Sequence, residues 1–184
     1  MSSFKSIRAF GAAWEKRKSP VHTLINNAGI FSMSAPRTET CDGFESHIGT
    51  NYLGHFLLTM LLQPSLLEAG RQIKKPARVV NVSSRLSLMG RIDTNDPNMK
   101  QRFNSLEAYA QSKLAQVIFA KELTNRMQGA IRCISLHPGE VLTDVVRSLP
   151  PILQSMYKSF MGIFLLTPSQ GMFQGFVLLT IFSL

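Results

Sequence analysis

Three short apolar segments each run directly into small or polar residues, and long helical patterns separate them. The apolar segments cover residues 21–25, 78–82 and 131–136. The helical patterns, in which apolar residues recur every three or four positions, cover residues 3–18, 42–69 and 105–127. Alternation of this kind is typical of α/β folds, where right-handed crossovers join parallel strands. The sequence therefore predicts a layered α/β fold built on a parallel sheet.

A few residues predict where the helices begin and end. Ser105 has a side chain suited to capping the amino end of the third helix. Gly70 and Gly129 are expected to end the second and third helices, since glycine accepts the left-handed backbone found there. Pro64 is expected to bend or divide the second helix, because proline lacks the N–H of a continuous helix.

The residues that follow the three strands are the first candidates for a binding site. The first strand runs into Asn26-Asn27-Ala28-Gly29, the second into Ser83-Ser84 and the third into His137-Pro138-Gly139. Ligands of open parallel sheets bind beyond the carboxyl ends of the strands. Glycine and small residues at these ends allow a ligand to approach the backbone closely. The alternative for each is an ordinary turn, and three such endings together favour a site.

A tyrosine and a lysine four residues apart, Tyr109 and Lys113, lie on one face of the third helix. A phenol titrates near pH 10, so it is a poor base at neutral pH, and a neighbouring ammonium lowers its pKa. Lowering it to about 7 takes about 4 kcal/mol, which requires a partly desolvated site with more than one favourable contact. Taken alone, the pair is also common on ordinary helix surfaces.

Composition excludes several classes of protein. With 184 residues, the chain is long enough for one domain with a core and short for two. Its two cysteines stand far apart with no CxxC, which excludes a disulfide scaffold or a zinc ribbon, and no metal-ligand spacing occurs. Formal net charge is +9, from 20 basic and 11 acidic residues. The basic residues are dispersed in small groups, which argues against a nucleic acid partner.

As a set, the motifs resemble the short-chain dehydrogenase/reductase family, over roughly residues 3–172. The residues that carry the resemblance are Asn26-Asn27-Ala28-Gly29, Asn51-Tyr52-Leu53-Gly54-His55-Phe56, Val80-Asn81-Val82-Ser83-Ser84, Tyr109-Ala110-Gln111-Ser112-Lys113, and His137-Pro138-Gly139 with Thr143. Their spacing is most similar to the retinol dehydrogenase-like branch. The resemblance implies a partial Rossmann-like, doubly wound sheet, containing strands four to six of the family fold.

The resemblance also implies a role for each matching residue. Tyr109 would exchange a proton with the substrate oxygen, and Lys113 would lower its pKa and bind the nicotinamide ribose. Ser84, rather than Ser83, would hold the substrate oxygen, and Asn51 would hold a water in the proton relay. The residues implied for cofactor binding are Asn27, Ala28, Gly29, Tyr109, Lys113, Pro138, Gly139, Val141 and Thr143. The implied cofactor is NADP or NAD, with NADP favoured, and the implied substrate is a lipophilic alcohol or carbonyl compound such as a retinoid or steroid.

The sequence departs from the family pattern in one major respect. No GxxxGxG or GxGxxG occurs in it, although that turn binds the cofactor pyrophosphate in the family. By resemblance, residues 1–184 form a single incomplete domain without the first βαβαβ half, and the strand at 21–25 is expected to have an open edge. The chain is therefore expected to be inactive, or nearly so, on its own.

Two readings of function remain open from the sequence. One is an NAD(P)-dependent oxidoreductase. The other is a non-catalytic partner that pairs with full-length subunits through helices at about 42–69 and 105–128, the surfaces through which the family forms homodimers. No apolar run reaches the length of a membrane-spanning helix. The chain as given is expected in the cytoplasm, and full-length relatives are expected at the endoplasmic reticulum membrane.

Overall fold

A computed structural model gives the fold and describes residues 1–32 and 35–138. Its helices are α1 (Phe4–Arg17), α2 (Gly54–Ile73) and α3 (Ser105–Arg126), and its strands are β1 (Thr23–Asn26), β2 (Ala77–Val82) and β3 (Ile131–Leu136). A π-helical segment, Ile48–Leu53, leads into α2, and a 3₁₀ turn, Arg85–Met89, follows β2. The three strands are parallel, in the order β1-β2-β3. The predicted partial Rossmann-like α/β fold is confirmed.

Helices α2 and α3 share one apolar core with the sheet. Leu66 of α2 and Phe119 of α3 are buried in the same cluster as Val79 of β2 and Ile131 of β3. Small residues such as Ala120 let α3 approach the strands closely. Because both helices are fixed to the sheet, residues on their surfaces are held in register with the strand ends.

The predicted cap of α3 was wrong by one residue. Asn104 precedes the helix in an extended conformation, and its side-chain oxygen accepts a hydrogen bond from the Glu107 N–H at 3.0 Å. Ser105 is instead the first helical residue, and its hydroxyl donates to the Ser32 carbonyl. Both residue types suit a cap, and the contact with the loop after β1 decides which of them occupies that position.

Removing this cap gives a direct test of the assignment. Asn104→Ala is expected to lower the free energy of unfolding by about 1 kcal/mol, since it leaves a helix N–H without its partner. Asn104→Asp, which keeps the acceptor oxygen, should leave stability within about 0.5 kcal/mol of the parent. Urea denaturation of both variants measures the difference, and equal stability of all three proteins would contradict the assignment.

The second helix differs from the sequence prediction in two respects. Pro64 was expected to bend or divide the helix, and it lies inside α2 without dividing it; the irregular turn falls earlier, at Ile48–Leu53. Gly70 does not end the helix, which continues to Ile73 and closes at Lys74 with φ 53°. A Cβ on Gly70 would lie 3.1 Å from the Lys75 carbonyl oxygen, so this glycine allows the turn into β2 to fold back against the helix.

Strand β1 lies at the edge of the sheet within the described residues. It pairs with β2 alone, and Ile25 leaves 54% of its surface exposed. An exposed apolar residue on an open edge strand is a site for association with other chains. In the part of the chain that the structure describes, none of the helices combines the length and apolar character needed to cross a bilayer.

Candidate active site

The carboxyl end of β2 is joined to α3 at the position of Lys113. The Lys113 ammonium donates a hydrogen bond to the Val82 carbonyl at 2.8 Å, and the Ser83 hydroxyl donates to the Lys113 carbonyl at 2.8 Å. Ser83 is therefore occupied in joining strand to helix. Ser84, one residue further, caps the following 3₁₀ turn, and its side chain lies close enough to the Tyr109 phenol to lower the pKa of that phenol. This geometry favours Ser84 over Ser83 as the serine that faces the tyrosine.

Tyr109 is partly buried between an aromatic ring and an ammonium group. Its ring is 4.5 Å from the Phe31 ring between centroids, and the Lys113 ammonium nitrogen lies 5.5 Å from its ring centroid. Burial raises the pKa of Tyr109 above its usual value, and the hydrogen bond with Ser84 opposes this rise. From the sequence alone, Lys113 is expected to lower that pKa. In the structure, the loss of hydration on burial outweighs the other effects on the Tyr109 pKa, so the phenol is protonated at neutral pH and can donate a proton.

Lys113 is almost completely buried, with 5% of its surface exposed. Burial lowers its pKa to about 8, because a charged amine loses hydration in the protein interior. The ammonium group donates a hydrogen bond to the Val82 carbonyl. A buried lysine with a lowered pKa at the edge of a parallel sheet is typical of a functional group rather than a stabilising one.

Asn51 joins the loop after β1 to α3. Its side-chain oxygen accepts from the Ile30 N–H at 2.7 Å, and its amide nitrogen donates to the Ile30 carbonyl and to the Ser112 hydroxyl, each at 3.0 Å. Its main-chain carbonyl accepts from the Gln116 amide at 2.8 Å. The side chain thus acts as a bridge between two elements of the site.

The backbone at Gly29 passes close to this bridge. A Cβ there would lie 3.1 Å from the Asn51 side-chain oxygen and 3.7 Å from the Lys113 ammonium nitrogen. The backbone at Gly29 therefore passes directly over both groups. Asn27 and Ala28 are exposed beside it, on the open side of the loop.

The π-helical segment explains how Asn51 comes to face the site. An inserted residue in a helix rotates the following side chains and frees carbonyl groups, and such segments are frequent at functional sites. Asn51 lies within Ile48–Leu53 and is fully buried. A regular helical periodicity would not have predicted this orientation.

The predicted site residues fall into three groups. The structure brings together Asn51, Ser84, Tyr109 and Lys113 with Gly29. Pro138 is the last residue described in this region. Gly139, Val141 and Thr143 lie outside the described residues, as does the apolar tail that follows them.

Sequence reasoning missed three residues that hold these groups. Ser112 and Gln116 bind Asn51 from α3, and Phe31 contacts Tyr109 from the loop after β1. Ser112 and Gln116 lie three and seven positions after Tyr109, on the same face of a helix. That spacing could have identified Ser112 and Gln116 from the sequence, whereas nothing in the sequence points to Phe31.

Comparison with known proteins agrees with this geometry. The sequence profile of the family described as short chain dehydrogenase matches residues 1–152. This chain belongs to the short-chain dehydrogenase family. It is 45% identical to mouse retinol dehydrogenase 12 over 149 residues, which are 80% of this chain and 45% of that protein. It is 42% identical to human retinol dehydrogenase 11 over 172 residues, which are 93% of this chain and 51% of that protein.

Solved structures of other proteins share this fold. A protein from Mycobacterium paratuberculosis superposes with a TM-score of 0.64 at 40% identity, over 80% of this chain and 51% of that one. The NADPH-bound carbonyl reductase from chicken fatty liver superposes with a TM-score of 0.56 at 28% identity, over 78% of this chain and 57% of that one. The chain spans about half the length of the curated relatives and solved structures that it matches.

The residues at this edge fit the nicotinamide end of a family cofactor. The buried Lys113 ammonium supplies a donor, and the exposed backbone at residues 27–29 passes close to it without a side chain at Gly29. The ribose hydroxyls and the carboxamide of the nicotinamide ring supply oxygen atoms to which such donors bind. The pyrophosphate end is different, since the sequence holds no glycine-rich turn for it.

Gly90 controls how closely the 3₁₀ turn after Ser84 packs against the helix of Tyr109. A Cβ at this position would lie 2.5 Å from the Ala110 carbonyl oxygen and 2.9 Å from the Leu114 Cβ. Its backbone conformation is ordinary, with φ −67°, so the close approach alone requires glycine.

Gly90→Ala is therefore expected to lower the free energy of unfolding by about 1–2 kcal/mol, since overpacking must displace the turn or the helix. Leu88→Ala is the matched control, because Leu88 lies in the same turn and is 87% exposed. Chemical denaturation measures both. An alanine at position 90 that is as stable as the control would show that the turn does not pack as described.

Proposed function

We propose that this chain carries the catalytic residues of an NAD(P)-dependent oxidoreductase that interconverts a lipophilic alcohol and its carbonyl compound. The observation that supports this most strongly is the meeting of Ser84, Tyr109 and Lys113 beside Asn51, at the carboxyl edge of a parallel sheet. Retinoids are the first substrates to test, because relatives at 42–45% identity are named retinol dehydrogenases.

In the reducing direction, Tyr109 donates its phenolic proton to the substrate oxygen. The raised pKa of Tyr109, caused by burial, keeps this proton in place at neutral pH. The Ser84 side chain lies near the phenol, so a carbonyl oxygen placed between the two hydroxyls would accept from both. When bound, the nicotinamide supplies the hydride that the carbonyl carbon receives.

Lys113 stabilises the negative charge that Tyr109 acquires after it gives up the proton. Its ammonium lies 5.5 Å from the ring centroid in a region of low dielectric, where charge interactions are stronger than in water. Its pKa of about 8 leaves most of it protonated at pH 7. Asn51 fixes the loop at Gly29 over the ammonium, which keeps the nucleotide side of the site in place.

For the nucleotide, we propose NADPH over NADH. The supporting observation is the carbonyl reductase at 28% identity, whose structure is named as NADPH-bound. The assays should extend to millimolar nucleotide.

The test is oxidation of NADPH and of NADH by the whole chain, with all-trans-retinal and a steroid ketone as substrates, followed by absorbance at 340 nm. Slow turnover that depends on both protein and substrate is expected. Circular dichroism on the same sample establishes that the chain is folded. A folded chain without turnover at saturating nucleotide would contradict catalysis by this chain and favour the second candidate.

That second candidate is a non-catalytic partner that pairs with a longer family member or with itself. It is favoured by apolar side chains that α2 and α3 leave exposed, Phe56 on the former and Val117 and Ile118 on the latter. Sedimentation velocity tests whether the chain pairs with itself. A dimer that Ile118→Asp converts to monomer would support pairing through these helices, and a monomer at all concentrations would contradict self-pairing.

A further inference from the structure

Two buried ionisable residues lie next to the site without a part in the chemistry above. Glu45 is 1% exposed and His47 is 3% exposed. One carboxylate oxygen of Glu45 accepts from the His47 N–H at 2.9 Å and lies 2.8 Å from the His47 Nδ1. The other accepts from the Ile48 N–H at 2.9 Å. These three contacts hold the carboxylate just before the π-helical segment that carries Asn51.

The pair fixes the orientation of the imidazole ring. The Ser32 N–H donates to the His47 Nε2 at 3.3 Å, so that nitrogen is an acceptor and Nδ1 carries the proton toward Glu45. Burial raises the pKa of Glu45, but the hydrogen bonds from His47 and Ile48 outweigh it and leave the pKa below its usual value. The Glu45 carboxylate therefore fixes the orientation of the His47 ring, as second hydrogen-bond partners do for functional histidines elsewhere.

The histidine in turn holds the loop that covers Tyr109. Ser32 is held at both ends, because its N–H donates to His47 and its carbonyl accepts from the Ser105 hydroxyl at the start of α3. Phe31, the preceding residue, lies against the Tyr109 ring at 4.5 Å between centroids. The His47 ring meets the same tyrosine edge-on, at 6.1 Å and 82°.

We propose that the Glu45–His47 pair is a positioning device for Tyr109, which acts by holding Ser32 so that Phe31 covers one face of the phenol ring. The proposal rests on the proposed function only in naming Tyr109 as the proton donor. It means that the Glu45–His47 pair and the loop that carries Phe31 together determine how far the Tyr109 phenol is exposed to water.

Burial of the charged Glu45 carboxylate costs hydration free energy, which supports a specific role for the Glu45–His47 pair. Apolar residues of similar volume are often as stable as a buried ion pair. A hydrocarbon at position 47 could not accept the Ser32 N–H, so Ser32 would be held only through Ser105, while Asn51 would still hold the loop at Ile30. The carboxylate prevents the other tautomer, in which Nε2 would face that N–H as a second donor.

The test measures the ionisation of Tyr109 in the whole chain without nucleotide. The sequence has three tyrosines, Tyr52, Tyr109 and Tyr157, so 3-fluorotyrosine gives three ¹⁹F signals and Tyr109→Phe assigns the one of interest. The compared proteins are the parent, His47→Phe, Phe31→Ala and the double variant. Ser105→Ala is a milder variant, because it removes only the hydrogen bond to the Ser32 carbonyl. His22→Phe is the control at an exposed histidine.

Because burial raises the pKa of Tyr109, release of Phe31 should move its titration midpoint down toward that of an exposed tyrosine. We expect this shift in His47→Phe and in Phe31→Ala, with the double variant shifted no further than Phe31→Ala alone. Ser105→Ala should shift in the same direction by less. Tyr52, whose pKa is also raised by burial, should keep its midpoint in all of them and in His22→Phe.

Three results would overturn the proposal. They are an unchanged Tyr109 midpoint in both His47→Phe and Ser105→Ala, shifts that add in the double variant, and equal movement of Tyr52 in every variant. The last would mean that the pair supports the fold as a whole. Because no nucleotide is present, a chain that fails to turn over substrate yet shows the expected shifts would refute the proposed function and leave the positioning role intact.

Discussion

Lys113→Met is expected to stabilise the chain at pH 7, by about 2 kcal/mol in the free energy of unfolding. Burial lowers the Lys113 pKa from 10.5 to about 8, which corresponds to roughly 3 kcal/mol of lost hydration at 1.36 kcal/mol per pH unit. The variant also loses the hydrogen bond to the Val82 carbonyl, worth about 1 kcal/mol. A gain on removing a buried group indicates that it is kept for function rather than for stability.

The same lysine predicts how stability changes with pH. Below pH 8 it is protonated in both the folded and unfolded chain, so folding carries the full desolvation penalty. Between about pH 8 and 10.5 the unfolded chain binds more protons than the folded chain, and stability rises with pH. Lys113→Met should not show this rise.

Urea denaturation at several pH values from 6.5 to 10 measures both effects. Lys121→Met is the control, because Lys121 lies on the exposed side of the same helix. A parent chain whose stability does not rise above pH 8, or a Lys113→Met variant less stable than the parent at pH 7, would contradict the buried position of this ammonium.

Tyr109→Phe is expected to lower nucleotide-dependent turnover at least about 100-fold, which is the usual contribution of a positioned proton donor. The ring and its contact with Phe31 remain, so nucleotide binding and stability should change little. The loss should therefore appear in kcat rather than in KM, since the phenolic proton is needed only in the transition state.

Tyr52→Phe is the matched control for this loss. Tyr52 is also partly buried, but its ring packs on Phe56 and Phe119, away from the site. Steady-state kinetics of the two variants with the best carbonyl substrate decide the matter. Turnover of Tyr109→Phe within about threefold of the parent would exclude the phenol as proton donor.

The sequence predicted the layout of the fold because hydrophobic periodicity is a local property. The strand that became Ala77–Val82 and the face shared by Tyr109 and Lys113 both follow from spacing alone. Errors arose where a distant contact decides a local choice. Ser105 lost the cap position to Asn104 because its hydroxyl binds the Ser32 carbonyl, 73 residues away.

The candidate site was predicted in part for the same reason. The four catalytic candidates carry recognisable side chains, but the elements that hold them do not. The π-helical turn that directs Asn51 toward Ile30 breaks the regular helical period, and the dependence of Tyr109 on burial needs three-dimensional packing. His47 is buried beside the tyrosine, and its place in the sequence gives no sign of that contact.

We infer that nicotinamide nucleotide binds over Gly29, beside Tyr109 and Lys113. Titration of NADPH into the folded, 3-fluorotyrosine-labelled chain tests this inference most directly, with circular dichroism on the same sample. The Tyr109 signal is expected to move and saturate while the Tyr52 signal stays in place, and Lys113→Met is expected to weaken binding at least about tenfold. A folded chain whose Tyr109 signal does not respond to millimolar NADPH or NADH would show that the nucleotide does not bind at this site.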